Sequence, residues 1–408
     1  IDVFESSKVA FSFWSIAGFT LAGINILQKE RKAVPVRPKL ADFAEFRTNF
    51  LNGFTKFIKS DVFILLCILI LAFILRLYKI NTPLADWHSW RQADTAAVTR
   101  NFVKHGVNLL YPTFDDLSNV ASGMNNFKGL RFVEFPLYNL AAVAVDKIFV
   151  GYNLEVSQRL TSIFATLWSI IFLFLLVRKY LGRKEAVLSA LLFAILPYNI
   201  FFTRVILPEP YLVFTSLGML YFFDKFIEAI SKPKADHSLD EKLKVYLKFF
   251  LYLLLALLFT VSAILVKPFA AFLFLPMAYL WFNKFKISIK SIIGLFIFLI
   301  IGFIPFIWWR WWINHFPEGI PASSWLLNGD SIRFKGAFFY WIFANRLSRL
   351  ILGYWGLPLF VFGIFSRAYP KRWFFYWWGI AILLFVTVFA TGNVRHDYYQ
   401  TFTIPIIV

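Results

Sequence analysis

The sequence predicts an all-α protein that crosses a membrane many times. Of its 408 residues, 59% are hydrophobic and only 16% are charged, and the mean hydropathy is +0.66. Soluble domains are typically about 45–50% apolar and about 25% charged, so this chain has too few polar side chains to cover a surface that faces water. The same composition excludes a disordered chain, a collagen-like fibre and a disulfide scaffold.

Ten apolar stretches approach the roughly 20 residues that a helix needs to cross the hydrocarbon core of a bilayer. They lack the alternating pattern of an outer-membrane barrel, so helices are predicted. The stretches are 9–28, 62–80, 160–177, 186–203, 210–223, 249–266, 268–283, 291–309, 350–366 and 373–394. An eleventh begins near Tyr398 and stops with the chain at Val408, so we expect a fragment of a longer protein.

Basic residues are concentrated in the loops on one side of the predicted bundle. With alternating helices, the loops on that side are 29–61, 178–185, 225–248, 283–290 and 367–372. They contain 24 Lys and Arg in 79 residues, whereas the two long loops opposite, 81–159 and 310–349, contain 12 in 119. Positive charge beside transmembrane ends stays cytoplasmic. We therefore predict a multi-pass protein of the plasma (inner) membrane whose long loops face outward, and no binding of nucleic acid despite the net charge of +19.

The chain divides into two parts. Residues 1–61 are expected to form an accessory transmembrane helix and a basic cytoplasmic linker, and residues 62–408 the main transmembrane domain, cut short at its C-terminus. The single cysteine, Cys67, excludes an intrachain disulfide and a cysteine metal site. No internal repeat at a fixed period is evident, which gives no support to a transporter built from two matching halves.

Ionisable residues gather on the predicted outer side, where the first long loop opens with Asp86-Trp-His-Ser-Trp-Arg-Gln-Ala-Asp-Thr95. On a helix, His88 and Arg91 share one face and Asp94 lies beside it. A carboxylate or imidazole held near an arginine suits general-base chemistry next to an anionic leaving group. A surface ion pair between Arg91 and Asp94 is the alternative interpretation.

Four further groups lie on the same side of the predicted membrane. They are Glu134 with the short amphipathic run after it, Arg204 with Glu209 between two prolines, Lys267-Pro268, and Arg395-His396-Asp397-Tyr398-Tyr399. Each alone also fits a structural role, for example Lys267 as an anchor at the membrane interface. Together, the cationic residues beside acids fit an anionic substrate in the membrane, such as a lipid phosphate.

In these motifs and their order the chain resembles the GT-C glycosyltransferases, integral-membrane enzymes that use polyprenyl-phosphate sugars. It is similar to the superfamily of protein O-mannosyltransferases and lipid A aminoarabinose transferases (glycosyltransferase family 39), in particular to the bacterial branch that resembles dolichyl-phosphate-mannose mannosyltransferases. The resemblance covers about residues 62–408. It implies a GT-C fold with juxtamembrane helices in a long first outer loop.

The resemblance also implies the activity, which is transfer of a sugar at the outer face from a polyprenyl phosphate to a glycan, lipid or protein acceptor. A carboxylate in the first outer loop would activate the acceptor, and the lipid phosphate would leave, usually with inversion. The lipid-phosphate set would be Arg91, Lys267, Arg395, His396 and Tyr398. Glu209 matches the second acidic position, while Glu134 and Arg204 are expected near the substrate. No cofactor is required and no metal site is predicted.

The candidate base differs from the family pattern. Relatives often carry an Asp-Glu pair three and two residues before the motif arginine, where this chain has His88 and Ser89. We therefore rank Asp86 first, Asp94 second and His88 third, because imidazole suits the role near neutral pH.

Two other functions compete with this one. A transporter or lipid flippase for a glycolipid would need charged residues along a pathway through the membrane, whereas the charges here lie at the outer rim. An O-antigen ligase or polymerase would usually depend on a large outer loop late in the chain, and here the longest outer loop comes early.

Overall fold

The computed structural model of the protein describes residues 60–230, 238–365 and 372–408. Within these ranges it is helical, and its β-structure is one isolated bridge between Thr113 and Leu130. The predicted all-α class is therefore confirmed. The accessory helix predicted at 9–28 and nearly all of its linker lie outside the described residues.

In chain order the described α-helices are α1 Asp61–Arg76, α2 Ser89–His105, α3 Leu137–Ile148, α4 Leu154–Tyr180, α5 Arg183–Ile195, α6 Pro197–Phe202, α7 Glu209–Ala229, α8 Leu239–Val266, α9 Phe274–Phe285, α10 Ile289–Ile313, α11 Trp325–Asn328, α12 Gly336–Phe339, α13 Gly356–Phe365, α14 Trp373–Val388, α15 Ala390–Arg395 and α16 Ile404–Ile407. Short 3-10 segments are Pro268–Leu273, Pro317–Gly319, Gly329–Phe334 and Asp397–Thr403, and Tyr340–Ile351 is a π-helix.

Among the described residues, three helices are long and apolar enough to cross a membrane: α4, α8 and α10. A fourth span exists if Gly336–Ile351 and Gly356–Phe365, which meet at 113°, form one broken span. The lipid-length helices α8 and α10 also leave large apolar side chains exposed along their length, among them Leu254 and Ile300. Such exposed apolar faces are expected where a helix contacts lipid.

Several predicted stretches are not single straight helices. The stretch 186–203 is divided between α5 and α6, and 268–283 begins as a 3-10 segment before α9. Both interruptions coincide with a proline, Pro197 and Pro268, which has no N–H to donate to the preceding turn. Among the described residues, the straight helices long enough to cross a membrane are therefore fewer than the nine predicted stretches that lie wholly or partly within them.

The bundle has two ends with different chemistry. At one end Asp61 pairs with Arg178 and Arg183, and Lys179 pairs with Asp224. These residues come from or adjoin the loops that the sequence predicts to be cytoplasmic. We call the opposite end, where α7 begins and α8 ends, the site end.

Three buried arginines hold the chain where it leaves α1 at the site end. Arg76 donates to Thr203 Oγ1 at 2.7 Å and to the Ala194 carbonyl at 2.8 Å. Arg159 donates to the carbonyl of Ile80 at 2.7 Å, and Arg204 donates to that of Tyr78. Where lipid replaces water, backbone that is not helical must form its hydrogen bonds with other groups of the protein. These contacts meet that need and fix the segment that leads to α2.

Helices α7 and α8 pack closely at Gly218. A Cβ atom at this position would lie 2.2 Å from the nearest ring carbon of Phe259 on α8. The Phe259 ring is itself held by Phe172 of α4, with centroids 5.6 Å apart. The absence of a side chain at Gly218 thus sets how near α8 approaches α7, and α8 carries the residue that follows it into the site end.

We predict that Gly218→Ala destabilises the protein by about 1–3 kcal/mol, because overpacking forces the Phe259 ring to move. The matched control is Gly379→Ala in α14, where a Cβ would meet no atom within 4 Å. Removing that helical glycine should leave stability unchanged or raise it by up to about 1 kcal/mol. Thermal unfolding in detergent measures both, and equal melting temperatures for the two variants would contradict close packing at Gly218.

Candidate functional site

The segment before α2 is tied to the helix by Gln92. The Gln92 side-chain amide donates to the Asp86 carboxylate and, at 3.0 Å, to the Trp87 carbonyl. Its oxygen accepts from the backbone N–H of Ile206 at 3.2 Å. His88, just before the helix, has a left-handed backbone with φ 59° and ψ 34°, which is uncommon for a residue other than glycine. This turn presents the imidazole to the chain's C-terminal segment.

Four buried charged residues meet at the site end, and we call them the charge quartet: Arg91 of α2, Glu134 before α3, Glu209 at the start of α7 and Lys267 directly after α8. Arg91 Nη2 donates to both carboxylate oxygens of Glu134 at 2.7 Å. Lys267 Nζ lies 3.6 Å from Glu134 and 3.4 Å from Glu209. None of the four side chains is more than 9% exposed. The quartet holds two positive and two negative groups, so it is formally neutral.

The quartet keeps Arg91 and Glu134 ionised. Burial alone would raise the pKa of Glu134, but Arg91, Lys267 and Arg131 outweigh it and lower that pKa to about 2. Burial likewise opposes the charge of Arg91, yet the Glu134 carboxylate raises the pKa of Arg91 above its usual value. Both members of this pair are therefore charged over the whole physiological range.

Asp94 lies beside the quartet at a more open position. Its carboxylate is 3.0 Å from Arg131 Nη2, and its side chain is 28% exposed. Burial raises the pKa of Asp94 although Arg131 and Arg91 act against the rise. Arg131 and Glu134 also line a small cleft with Thr95. A partly open carboxylate with a raised pKa is suited to accept a proton.

His88 is held by Asp397. The imidazole Nε2 contacts the Asp397 carboxylate, which also accepts from Trp87 Nε1 at 2.9 Å and lies 3.9 Å from Arg346 Nη1. Tyr198 donates its hydroxyl to the Asp397 carbonyl at 2.6 Å. Burial would raise the pKa of Asp397, but the His88 and Arg346 side chains lower it. An ionised carboxylate on one ring nitrogen fixes the orientation of the imidazole.

Aromatic rings from the C-terminal segment close the site. Tyr398 lies 4.9 Å from His88 and 5.0 Å from His396 between ring centroids. Lys267 Nζ stands 5.4 Å from the centre of the Tyr399 ring. Burial and the neighbouring His88 and Lys267 lower the pKa of His396 to about 4. His396 is therefore neutral near pH 7, whereas the sequence led us to expect a cation at this position, and its part in binding a phosphate stays a prediction.

Two predicted residues lie elsewhere. Arg395 forms a surface ion pair with Asp330 at 3.1 Å, in which the side chains are 57% and 71% exposed. Arg204 is buried, donates to the Tyr78 carbonyl and stands over the Tyr78 ring at 5.6 Å. Neither contact involves the charge quartet. Exposed pairs such as that of Arg395 contribute little to stability.

Sequence reasoning missed several residues that complete the site. Arg131 lies three positions before Glu134, and both Asp397 and Tyr399 belong to the C-terminal motif whose other members were selected. Their positions within or next to motifs that had been selected could have identified them from the sequence. Arg346, from the π-helix, carried no such signal. Among the described ranges of the chain, no three His, Cys, Asp or Glu side chains are grouped as metal ligands would be.

Comparison with known proteins identifies the fold. No family model matches the chain, and no curated protein matches it in sequence. The crystal structure of ArnT from Cupriavidus metallidurans bound to undecaprenyl phosphate superposes with a TM-score of 0.56 over 85% of this chain, at 14% sequence identity. The chain spans 59% of the length of that ArnT chain. The likeness confirms the predicted GT-C membrane fold.

The ionised Glu134 predicts a specific loss of stability in acid. Its pKa is about 2 in the folded protein and has an ordinary value of 4.5, so its stabilisation is present above about pH 4.5 and is lost as the pH falls towards 2. Melting temperatures of the wild type should therefore fall across this window, and those of Glu134→Gln should be lower at pH 7 but fall less steeply.

Asp330→Asn is the control for the acid experiment. Its carboxylate is exposed in a surface pair, so this variant should keep the slope of the wild type. Wild type and Glu134→Gln with the same slope would show that Glu134 is not held ionised by the quartet.

Proposed function

We propose that this chain is an integral-membrane glycosyltransferase that transfers a sugar from a polyprenyl-phosphate donor to an acceptor hydroxyl. The charge quartet carries the proposal: Arg91 and Lys267 are buried at the end of a helix bundle, next to candidate bases. Buried cations of this kind suit a phosphate held at a membrane. The shared fold adds support, because the ArnT crystal structure is of a protein bound to undecaprenyl phosphate.

Arg91 and Lys267 are the proposed partners of the donor phosphate. The Nη1 atom of Arg91 is buried and has no hydrogen-bond partner among the described residues. Its N–H groups can therefore donate to a bound anion. Lys267 Nζ is at 3.4 Å or more from both of its carboxylates, a distance longer than a hydrogen bond between charged groups. Both cations therefore retain capacity to bind an anion.

Asp94 is the proposed base, ahead of Asp86 and His88. Its carboxylate is partly exposed and pairs with Arg131, which lines a small cleft together with Glu134 of the quartet, whereas Asp86 accepts a hydrogen bond from Gln92. In the reaction, Asp94 accepts the acceptor hydroxyl's proton as the oxygen attacks the anomeric carbon. The bond between that carbon and the phosphate oxygen breaks, and its electron pair leaves with the phosphate.

The quartet cations then act on the leaving group. Its negative charge grows as the bond breaks, and positive groups aimed at it lower the barrier. Attack on the face of the anomeric carbon opposite the phosphate inverts that centre. His88, oriented by Asp397, lies 4.9 Å from Tyr398 between ring centroids, and both are proposed to position the sugar.

The resemblance suggests the sugar, the acceptor, the orientation in the membrane and the roles of the two parts of the chain. The transferred group is a hexose or pentose, with mannose and aminoarabinose as the first donors to test, and the acceptor is a glycan, lipid or protein of the cell envelope. The site end would face outward from the inner membrane, since the basic loops lie at the opposite end. Residues 62–408 would form the catalytic domain and residues 1–61 an accessory anchor.

A turnover assay tests the proposed activity. The full chain in lipid is incubated with a panel of radiolabelled polyprenyl-phosphate sugars, with and without membrane extract as the source of acceptor, and label released from the lipid is measured. Release is expected with one donor. Binding of the lipids without release from any of them, by a folded protein, would favour a flippase.

We predict that Asp94→Asn lowers turnover by about 100-fold or more, the usual contribution of a positioned general base. Asp86→Asn is the matched control on the same segment and should retain more activity, provided that melting temperatures show both variants folded. The opposite ranking would make Asp86 the base, and wild-type turnover in both variants would exclude both carboxylates as the base.

We predict that Lys267→Gln raises the apparent KM for the donor lipid by about 10- to 100-fold, since a hydrogen bond to a charged group contributes about 1.5–3 kcal/mol. Arg395→Ala removes a cation from the same end of the bundle, but one already engaged on the surface by Asp330. It should change the KM less than threefold. Equal effects in the two variants would mean that Lys267 does not bind the phosphate.

A further inference from the structure

Glu209 is a buried carboxylate with an unusual environment. Its side chain is 1% exposed, and neither of its carboxylate oxygens has a hydrogen-bond partner among the described residues. It is the first residue of α7, between Pro208 and Pro210, and proline supplies no N–H. A buried charge that accepts no hydrogen bond is costly. The ammonium group of Lys267 lies 3.4 Å from the carboxylate.

Glu134, the other acid of the quartet, differs from Glu209 in its hydrogen bonds. Both oxygens of Glu134 accept hydrogen bonds from Arg91 at 2.7 Å, and Lys267 lies at 3.6 Å. Two residues of the same type, each within reach of the same lysine, therefore differ in how much the protein stabilises their charge. Glu134 has strong charge-assisted hydrogen bonds, and Glu209 has none.

A bound phosphate disturbs the charge balance of this site. The quartet is neutral, so one added anion leaves a net negative charge in a buried region, where uncompensated charge costs several kcal/mol. The phosphate also competes with both carboxylates for Lys267. Glu209 loses most, because it accepts no hydrogen bond from the described residues that could replace the attraction of Lys267.

We propose that binding of the donor phosphate is coupled to the uptake of one proton, which is held by Glu209. The neutral carboxyl releases Lys267 to the phosphate and supplies an O–H that donates to a phosphate oxygen, so that Glu209 becomes a binding residue. The net charge of the occupied site is then again zero. The inference rests on the proposed function, since it requires that the quartet binds the donor phosphate.

Other titratable groups face Glu209 or the same space. Arg91 on α2, Tyr138 on α3, Tyr198 on α6, Lys267 after α8, and Tyr398 and Tyr399 on the 3-10 segment interact electrostatically with Glu209. The phenols and the cations already carry their protons near pH 7. His396, neutral at that pH, is the competing proton acceptor, and variants of it and of the adjacent His88 must separate them from Glu209.

Calorimetry with a phosphate of fixed charge tests the coupling. The probe is the methyl ester of undecaprenyl phosphate, a diester that does not titrate near neutral pH, whereas the second ionisation of a monoester lies near pH 6. Binding to the full chain in lipid nanodiscs is measured at pH 7 in buffers of different ionisation enthalpy. The dependence of the measured heat on the buffer gives the number of protons taken up.

The wild type should take up about one proton per bound diester. Its Kd should therefore rise as the pH rises, by up to tenfold per pH unit in the range where binding takes up the proton. Glu209→Gln should bind with no proton uptake and with a Kd that does not depend on pH. His396→Gln and His88→Gln should still take up about one proton per bound diester. Thermal unfolding confirms that each variant is folded.

The failures are distinguishable. Binding by the wild type without proton uptake overturns the coupling but leaves the proposed function standing, and it does so whether or not the variants fold. Uptake that persists in Glu209→Gln or disappears in His396→Gln assigns the proton to another group and overturns the role of Glu209. No binding of the diester by the wild type overturns the proposed function and the coupling together.

Discussion

Charge balance in a buried place is the constraint on which the site end depends. An unpaired charge away from water costs several kcal/mol, so Arg91, Glu134, Glu209 and Lys267 must lie within reach of one another. They come from α2, the segment before α3, the start of α7 and the end of α8. Their pairing therefore fixes the relative positions of four elements that are far apart in the chain. The close approach of α7 and α8 at Gly218 acts on two of the same elements.

Interruptions of the helices serve this arrangement. Lys267 stands between α8 and a 3-10 segment with an extended backbone, at φ −150° and ψ 120°, and this break lets its side chain point to two carboxylates. The break before Pro197 exposes carbonyl groups that Arg76 takes up. Irregular backbone at membrane depth is tolerated where protein groups satisfy it. The break after α8 therefore carries a residue proposed to bind substrate, and the long apolar helices α8 and α10 form the surrounding frame.

The site also shows how one residue type acquires different properties. Glu134 and Glu209 share Lys267, yet only Glu134 accepts hydrogen bonds from a guanidinium. Among the histidines, His88 is oriented by Asp397, whereas His396 is kept neutral by burial and nearby positive charge. The proposed donor and product are both anionic, and such differences would let Glu209 take up a proton while Glu134 stays ionised.

The sequence alone determined the membrane class and the helical architecture, and it singled out all four members of the charge quartet. Apolar residues prefer lipid wherever they stand in the chain, so hydropathy places 160–177 within α4 and 291–309 within α10. Only the tertiary structure decided the partners. Glu134 is 43 positions from Arg91, and Asp397 is 309 positions from His88. The structure also placed Arg395 in an exposed ion pair, although the residues that follow it in the same sequence motif lie at the site. The physical reason is that pairing depends on the rotation of each helix and on where helices break, which are set by packing among all of them together and not by any local stretch of residues.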